Sequence, residues 1–242
     1  SQNSVEYFGH RGCRGLYPEN TIIGFKKAID LGVDGIEWDV VVNADKQLII
    51  SHEPYIDSSY CSIPKEIKPN TFNQNIYNMS FNELKKYDCG IKGNKNFPLQ
   101  KKIAATKPSF KEAEKELTKF KGKILFEIKS KSGHYGNHQP HPKEYAKIIY
   151  NETKNSPLLK QLIFMSFDPL ILNELEKLHP NSKYILLGYN PLVNYSKLIG
   201  TLTFKPFAIG LNYTIATNKT ISAAHKDKVK VYAWTVNDLE KG

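Results

Sequence analysis

The sequence lacks any apolar run long enough to cross a bilayer, for which about 20 consecutive apolar residues are needed. A membrane-spanning helix is therefore not expected. There is also no signal-peptide pattern and no initial methionine, so we expect that an N-terminal segment has been removed, either by processing or during preparation of the protein. The content of 40% hydrophobic and 24% charged residues is ordinary for a globular protein of 242 residues.

Cysteine is scarce, with only Cys13, Cys61 and Cys89 in the chain. Three cysteines cannot all pair within one chain, and their spacing matches no zinc-binding pattern. Because the spacing assigns no base to Cys13, a structural thiol is favoured over a nucleophile. A disulfide between Cys61 and Cys89 stays open, and the cysteines alone leave the cellular compartment open as well.

Arginine-rich stretches are also missing, although the net charge is +10. A basic protein can bind nucleic acid by releasing counterions. Here, however, the lysines are scattered over the whole chain, and the aromatic residues do not alternate with a basic cluster. We therefore expect a lysine-rich solvated surface and no nucleic-acid partner. The positive field of such a surface would still attract an anionic substrate toward a cleft.

Strand-like and helix-like segments alternate along the chain, which is typical of parallel α/β proteins. The length is close to the ~250 residues of a (β/α)8 barrel. We predict a single catalytic domain of the TIM (β/α)8 barrel class over residues 1–242. The predicted parallel strands are residues 5–9, 35–41, 123–129, 162–167, 183–187, 207–211 and 230–236, with a short extra strand at residues 47–51.

Two features depart from a regular barrel. Residues 53–106 are rich in Pro, Asn and Lys and show little periodicity, so we predict an inserted subregion over the barrel mouth, after the second strand. An eighth parallel strand is missing from the sequence, and an unclosed barrel would expose strand edges. We therefore expect the polypeptide to continue past Gly242.

Charged residues inside two apolar segments are the strongest chemical signal. Glu37 and Asp39 are two residues apart in a predicted strand and therefore point to the same face. Glu127 and Lys129 repeat this spacing in another strand. Burying such charges is costly unless they are paired, and a hard cation held by carboxylates would pair them. The alternative for each pair is a solvent-facing position or a salt bridge.

Residues that can move protons or bind phosphate flank the same segments. His10 and Arg11 follow the first predicted strand, and His52 follows the short extra strand. In barrels of this class the chemistry lies at the C-terminal ends of the strands. Two histidines, an arginine and several carboxylates at these ends indicate metal-assisted chemistry on a phosphate ester, and hence an enzyme.

These segments resemble the glycerophosphodiester phosphodiesterase family. The family's motifs occur in the family's order as Gly9-His10-Arg11-Gly12, Pro18-Glu19-Asn20-Thr21, Ile36-Glu37-Trp38-Asp39-Val40, Ser51-His52-Glu53, Phe126-Glu127-Ile128-Lys129, Ser166-Phe167-Asp168 and Ala233-Trp234-Thr235-Val236-Asn237. The resemblance runs from about Phe8 to the C-terminus. It implies a TIM barrel with an insertion in this place, and a final helix and strand that the sequence lacks.

The resemblance also implies a ligand set. Glu37, Asp39 and Glu127 would hold one divalent cation. Mg²⁺ or Ca²⁺ is expected, because an all-oxygen shell suits hard cations. Arg11 and Lys129 would bind the phosphate of the substrate.

Three further roles are implied in the same way. His10 and His52 would exchange protons with the attacking and leaving oxygens, without a choice of which is acid and which is base. Trp234 would pack against the glycerol moiety, the alternative being a buried core indole. Glu53 stands where the family often has aspartate, so its role is left open.

The expected activity is hydrolysis of a small glycerophosphodiester to glycerol phosphate and an alcohol, by attack of either the neighbouring glycerol hydroxyl or water. Two alternatives stay open. A phospholipase acting on intact lipids would need an apolar docking surface, and a non-catalytic headgroup-binding module would have lost a metal ligand or a histidine. The missing methionine and the resemblance to exported family members favour a periplasmic or secreted protein over a cytoplasmic one.

Overall fold

A computed structural model describes residues 5–68, 74–190, 192 and 194–234. Seven parallel strands form one sheet in chain order, and one more strand pairs antiparallel with the second of them. The strands are β1 (Phe8–Gly9), β2 (Gly35–Val42), the antiparallel β3 (Leu48–Ile50), β4 (Lys123–Ile128), β5 (Leu162–Ser166), β6 (Lys183–Gly188), β7 (Ala208–Asn212) and β8 (Lys230–Trp234). The predicted α/β fold with a parallel sheet of the barrel type is confirmed.

The two ends of this strand order depart from the expected bounds. β1 begins at Phe8 rather than at residue 5, because the N–H of Tyr7 donates to the side chain of Asp34 at 2.8 Å instead of to a strand partner. β8 is described as far as Trp234, and the predicted strand residues 235–236 lie outside the described residues. The missing eighth parallel strand and the continuation past Gly242 stay predictions.

Seven helices connect the strands within the described residues. They are α1 (Ile22–Asp30), α2 (Phe81–Leu84), α3 (Phe110–Glu116), α4 (Pro142–Thr153), α5 (Pro169–Leu178), α6 (Tyr195–Ile199) and α7 (Asn218–Lys226). The side chain of Asp168 caps α5 by accepting from the N–H of Leu170 at 3.0 Å, as expected for an acid directly before Pro169. None of the helices in the described part of the chain is long and apolar enough to span a bilayer.

The two faces of β2 have opposite chemistry. Ile36, Trp38 and Val40 are fully buried in the main core, and Trp38 packs edge-on against Phe110 of α3 at 6.0 Å. The residues between them, which include Glu37, point to the opposite face. Because a one-residue slip would exchange the two faces, the apolar side fixes the register that places the carboxylates.

The segment between β3 and α3 has its own apolar cluster. Its buried residues in the described part are Ile56, Tyr60, Cys61, Ile76, Met79, Leu84, Tyr87 and Cys89, which pack with Val41 of β2 and Ile49 of β3. Cys61 and Cys89 form a disulfide across this cluster. The segment is therefore anchored to the sheet beside the predicted site. Its assignment as an insertion at residues 53–106 within a single domain of residues 1–242 stays a prediction.

The third cysteine is a free thiol with a packing role. The Sγ of Cys13 donates to the carbonyl of Gly24 in α1 at 3.3 Å. Burial raises the pKa of this thiol, which lowers its nucleophilicity at neutral pH. Both observations agree with the structural thiol expected from the sequence.

Candidate active site

Three carboxylates meet on the face of the sheet opposite the main core. Glu37 and Asp39 lie on β2, and Asp39 is the register partner of Glu127 on β4. One oxygen of each carboxylate lies within 4.8 Å of one oxygen of the other two. The exposed fractions of these residues are only 5%, 1% and 9%, so bulk water screens the charges poorly. The structure thus brings together the three residues predicted as metal ligands.

The negative charge of this cluster is only partly compensated by its cationic neighbours. Burial, together with the charges of Asp39 and Glu127, raises the pKa of Glu37 well above its usual range. Burial and Asp39 also raise the pKa of Glu127, although Lys129 acts in the opposite direction. Three buried carboxylates with converging oxygens form a donor set that fits a hard divalent cation.

The loop after β1 places Arg11 against this cluster. Arg11 has a φ of 51°, and its backbone N–H donates to Glu37 at 2.9 Å. Its guanidinium pairs with Glu19 at 2.9 Å, and the Nε lies 3.6 Å from Asp39. Burial would lower the pKa of Arg11, but Asp39 and Glu19 raise it overall. The residue predicted to bind phosphate is therefore a fixed cation beside the carboxylates.

Asn20 also belongs to the site and is not a helix cap. Thr21 caps α1, since its side chain accepts from the N–H of Gly24 at 3.1 Å. Asn20, with a φ of 51°, instead donates from Nδ2 to Asp39 at 3.0 Å and accepts from the N–H of Asp39 at 3.3 Å. The side-chain amide of Asn20 therefore holds one of the three carboxylates in place.

The two predicted proton-transfer histidines have different surroundings. The Nε2 of His10 lies 3.6 Å from Glu37. Burial, with the nearby charges of Arg11 and Arg14, lowers the pKa of His10 to about 4, so its ring is neutral at pH 7. The Nδ1 of His52 donates to Glu53 at 2.9 Å. This bond orients the second ring and directs its Nε2 away from Glu53.

Glu53 is held by hydrogen bonds on both of its oxygens. Its second oxygen accepts from the hydroxyl of Tyr60 at 2.7 Å, and that hydroxyl accepts from Lys107 at 3.1 Å. Burial would raise the pKa of Glu53, but the bond from His52 and the charge of Lys107 lower it overall. Glu53 is thus a fixed anion behind His52.

Sequence reasoning missed Tyr60 and Lys107. Both are buried, with exposed fractions of 5% and 4%, and they come from distant parts of the segment between β3 and α3. Neither residue stands in a periodic segment or beside a predicted site residue. A lysine directly before Pro108 has no sequence signal that distinguishes it from the many surface lysines of this chain.

The remaining predicted substrate residues lie at the ends of β4 and β8. The Nζ of Lys129 pairs with Glu127 at 2.8 Å. Trp234 is half-buried and packs edge-on against Phe167 at 5.7 Å. Its indole N–H has no hydrogen-bond partner in the described structure. Trp234 therefore belongs to an aromatic cluster, which Phe167 extends to Tyr189 with a ring distance of 5.6 Å.

Comparison with known proteins identifies the family. The sequence profile of the glycerophosphoryl diester phosphodiesterase family matches residues 10–241. The chain belongs to this family. A glycerophosphodiester phosphodiesterase of Caldanaerobacter subterraneus subsp. tengcongensis is 29% identical over 231 residues, which cover 96% of this chain and 85% of that protein. The predicted family and enzyme class are therefore confirmed.

Solved structures of the same family share the fold. A phosphodiesterase of Oleispira antarctica, determined with the product sn-glycerol-3-phosphate, has a TM-score of 0.78 and 20% identity, and the match covers 98% of this chain and 87% of that one. A glycerophosphodiester phosphodiesterase of Thermotoga maritima has a TM-score of 0.70 and 22% identity, with 100% and 90% covered. At these identities, the likeness shows the barrel-type fold alone.

Proposed function

We propose that this glycerophosphoryl diester phosphodiesterase family member hydrolyses glycerophosphodiesters to glycerol phosphate and an alcohol. The observation that carries the proposal is the convergence of Glu37, Asp39 and Glu127 beside a largely buried arginine and two histidines. The Oleispira neighbour, whose structure holds sn-glycerol-3-phosphate, supports the same product class.

The three carboxylates would hold one divalent cation, Mg²⁺ or Ca²⁺. When bound, such an ion supplies charge neutralisation at a phosphate oxygen. Arg11 is anchored by Glu19 and Asp39, so the cation of its guanidinium is already in position for the phosphate before substrate arrives. Lys129 adds a second cation from the end of β4, with a pKa that Glu127 and Asp39 raise although burial opposes them.

His10 and His52 are the proposed acid and base. His10 lies beside Glu37 and is neutral at pH 7, so its ring can accept a proton. His52 is oriented by Glu53, which stabilises the charged imidazolium when His52 takes up a proton. The proton leaves the attacking hydroxyl or water for one ring, and the other ring gives a proton to the departing alcohol. Trp234 would pack against the glycerol moiety from the aromatic cluster at the end of β8.

Hydrolysis of glycerophosphocholine tests this function. Protein treated with chelator should release no glycerol 3-phosphate, and adding back Mg²⁺, Ca²⁺ or Mn²⁺ in turn should restore release. His52→Ala should lower kcat by at least about 100-fold, the range expected for a lost general acid or base. Full turnover in chelator, or unchanged turnover by His52→Ala, would refute the proposal.

The same assay separates the alternatives. A non-catalytic headgroup-binding module would bind glycerophosphocholine in calorimetry and release no product with any metal. A phospholipase would hydrolyse diacyl phosphatidylcholine vesicles faster than glycerophosphocholine. We expect the opposite order, because the residues of the site are charged or polar, whereas a lipid substrate would also need an apolar docking surface.

We further propose that the protein works outside the cytoplasm, as a periplasmic or secreted enzyme and as one catalytic domain. The disulfide between Cys61 and Cys89 supports this, because disulfides persist in oxidising compartments. Thiol alkylation before and after reduction, on protein taken from its native cells, tests the location. A single alkylated cysteine before reduction is expected, and three would contradict an oxidising compartment.

A further inference from the structure

Arg14 is a second arginine in the loop after β1 that the proposed chemistry does not use. It lies three residues after Arg11 and is half-buried. Its guanidinium carbon stands 4.7 Å from the centroid of the Phe97 ring. Its backbone carbonyl accepts from Gln100 at 2.7 Å, and Gln100 is buried with an exposed fraction of 8%. The segment between β3 and α3 thus holds Arg14 at two points.

Arg14 differs from Arg11 and Lys129 because, among the described residues, it has no acidic partner. Arg11 pairs with Glu19, and Lys129 pairs with Glu127. In the described part of the chain, no carboxylate oxygen lies within 4.0 Å of the Arg14 guanidinium, and no hydrogen-bond acceptor for it is present. Its N–H groups remain accessible to water and therefore to a ligand.

Arg14 nevertheless lies close to the reacting centre. It lies in the loop between β1 and α1, which also carries His10 and Arg11. Burial and Arg11 lower the pKa of Arg14, which Glu19 and Glu37 only partly oppose. A half-buried cation under repulsion from a neighbouring cation is costly, and an anion brought by a ligand would relieve that cost.

We propose that Arg14 binds a second anionic group of the substrate, carried by the alcohol that leaves. The inference rests on the proposed hydrolysis of glycerophosphodiesters and names their class. The reacting phosphate is matched by Arg11 and Lys129, which are held by the carboxylate cluster, whereas Arg14 is held by Phe97 outside that cluster. A planar guanidinium stacked on a ring presents its fork of N–H donors to a phosphate or carboxylate. The preferred substrates are therefore diesters whose alcohol bears a further phosphodiester, phosphate or carboxylate.

A pair of substrates that differ in the second anion tests this selectivity. Glycerophosphoglycerol has one phosphodiester, and bis(glycerophospho)glycerol adds another on the same alcohol. For Arg14→Gln, kcat/KM should fall about tenfold more on the second substrate than on the first, mainly through KM, which is the loss expected for one charge-assisted hydrogen bond. The longer substrate has two equivalent cleavable bonds. Dividing the kcat/KM of the variant by that of wild type for each substrate removes the resulting statistical factor.

Two further variants complete the test. Lys101→Gln removes the same charge from a residue whose Nζ lies 5.2 Å from the centroid of the Tyr17 ring, in the loop after β1. This control should leave the selectivity ratio as in wild type. Phe97→Leu keeps Arg14 but removes its stacking platform, and it should lower the same ratio by an intermediate factor.

The outcomes separate this inference from the proposed function. An equal fall in the kcat/KM of Arg14→Gln on both substrates would place Arg14 on the reacting phosphate and overturn the inference. An unchanged kcat/KM on both substrates would overturn it as well. If wild type turned over neither substrate, the proposed function would fail. Calorimetric binding of bis(glycerophospho)glycerol would then still decide the role of Arg14, since Arg14→Gln should bind it about tenfold more weakly, and equal binding would overturn the inference.

Discussion

Glu37, Asp39 and Glu127 are buried carboxylates whose repulsion is only partly offset by the neighbouring Arg11 and Lys129. Buried like charges destabilise a fold unless a cation joins them. The three carboxylates therefore lower the free energy of unfolding of the metal-free protein, and metal binding should raise it again. Residues that lower the stability of the fold but are needed for chemistry are typical of functional sites.

Glu127→Gln tests the ligand role at this scale. In chelator, the Tm of the variant should equal or exceed that of wild type, because one of three repelling charges is gone. Added Mg²⁺, Ca²⁺ or Mn²⁺ should raise the Tm of wild type and have little effect on the variant. Thermal denaturation followed by circular dichroism measures both. A metal-dependent rise in the variant equal to that of wild type would contradict the role.

Glu53 gives a second prediction for a single residue. Glu53→Gln removes the anion that accepts from the Nδ1 of His52, so the ring loses its fixed orientation. We expect kcat to fall by about 10- to 100-fold with little change in KM. Steady-state kinetics on glycerophosphocholine measures the two constants.

Matched variants separate orientation from folding. Glu53→Asp, which keeps the charge, should recover part of the lost rate. Tyr60→Phe removes only the hydroxyl that donates to the second oxygen of Glu53, and it should lower kcat by a smaller factor. If all three variants raised KM and left kcat unchanged, Glu53 would serve binding rather than proton transfer.

The residues found from sequence and those missed differ in how they reach the site. Glu37 and Asp39 share a strand face by spacing alone, and Glu127 repeats the signal. Tyr60 and Lys107 reach Glu53 only through the packing of the segment between β3 and α3, which has no periodicity to extrapolate. Contacts of this kind require the tertiary structure.

At the scale of elements, local signals were sufficient where a cap or an apolar face decides the outcome. The cap Asp168 and Pro169 start α5, for example. α3 (Phe110–Glu116) begins after Ser109, which caps it in a reciprocal bond with Glu112. The short β1 was overestimated because the side chain of Asp34 takes the N–H of Tyr7, and sequence does not show such a side-chain bond.

The contact between α4 and β3 carries a prediction on pH. Glu152 of α4 accepts from the N–H of Leu48 at 2.6 Å, and burial raises its pKa to about 6 from 4.5. The folded state therefore binds this proton more tightly than the unfolded state. The stabilisation that protonated Glu152 contributes is fully present below pH 4.5 and is lost as the pH rises through 6.

Glu152→Gln keeps an acceptor for Leu48 and removes the buried charge. Its free energy of unfolding should exceed that of wild type by about 1 kcal/mol above pH 7, and the difference should shrink below pH 5. Urea denaturation at a series of pH values measures this. Glu144→Gln, an exposed glutamate of the same helix, is the control and should follow the pH dependence of wild type. A variant less stable than wild type at pH 8 would contradict the account.

At the scale of the whole molecule, the parallel strand order was predictable because alternating strand and helix segments permit few topologies. The disulfide was not, since three cysteines leave the pairing open. It joins residues 28 positions apart and lies directly beside Tyr60. The disulfide stabilises the segment that carries Tyr60. Because Tyr60 bonds to Glu53 and Glu53 bonds to His52, the disulfide also supports the orientation of His52.

Replacing both Cys61 and Cys89 by serine should test this connection. The free energy of unfolding should fall by about 2–4 kcal/mol, the usual range for a native disulfide. At a temperature where the variant is still folded, kcat should fall while the metal-dependent rise in Tm persists. Unchanged kcat would show that the disulfide stabilises the fold without influencing the site.

The central claim is that Glu37, Asp39 and Glu127 gather around one ion that the reaction requires. Calorimetric titration of Mg²⁺, Ca²⁺ and Mn²⁺ into chelator-treated protein, with turnover of glycerophosphocholine followed on the same samples, tests it most directly. The account predicts one site per chain for the activating metal, turnover that rises in proportion to its occupancy, and loss of both in Asp39→Asn. Full turnover before any metal is added, or one intact site in Asp39→Asn, would contradict it.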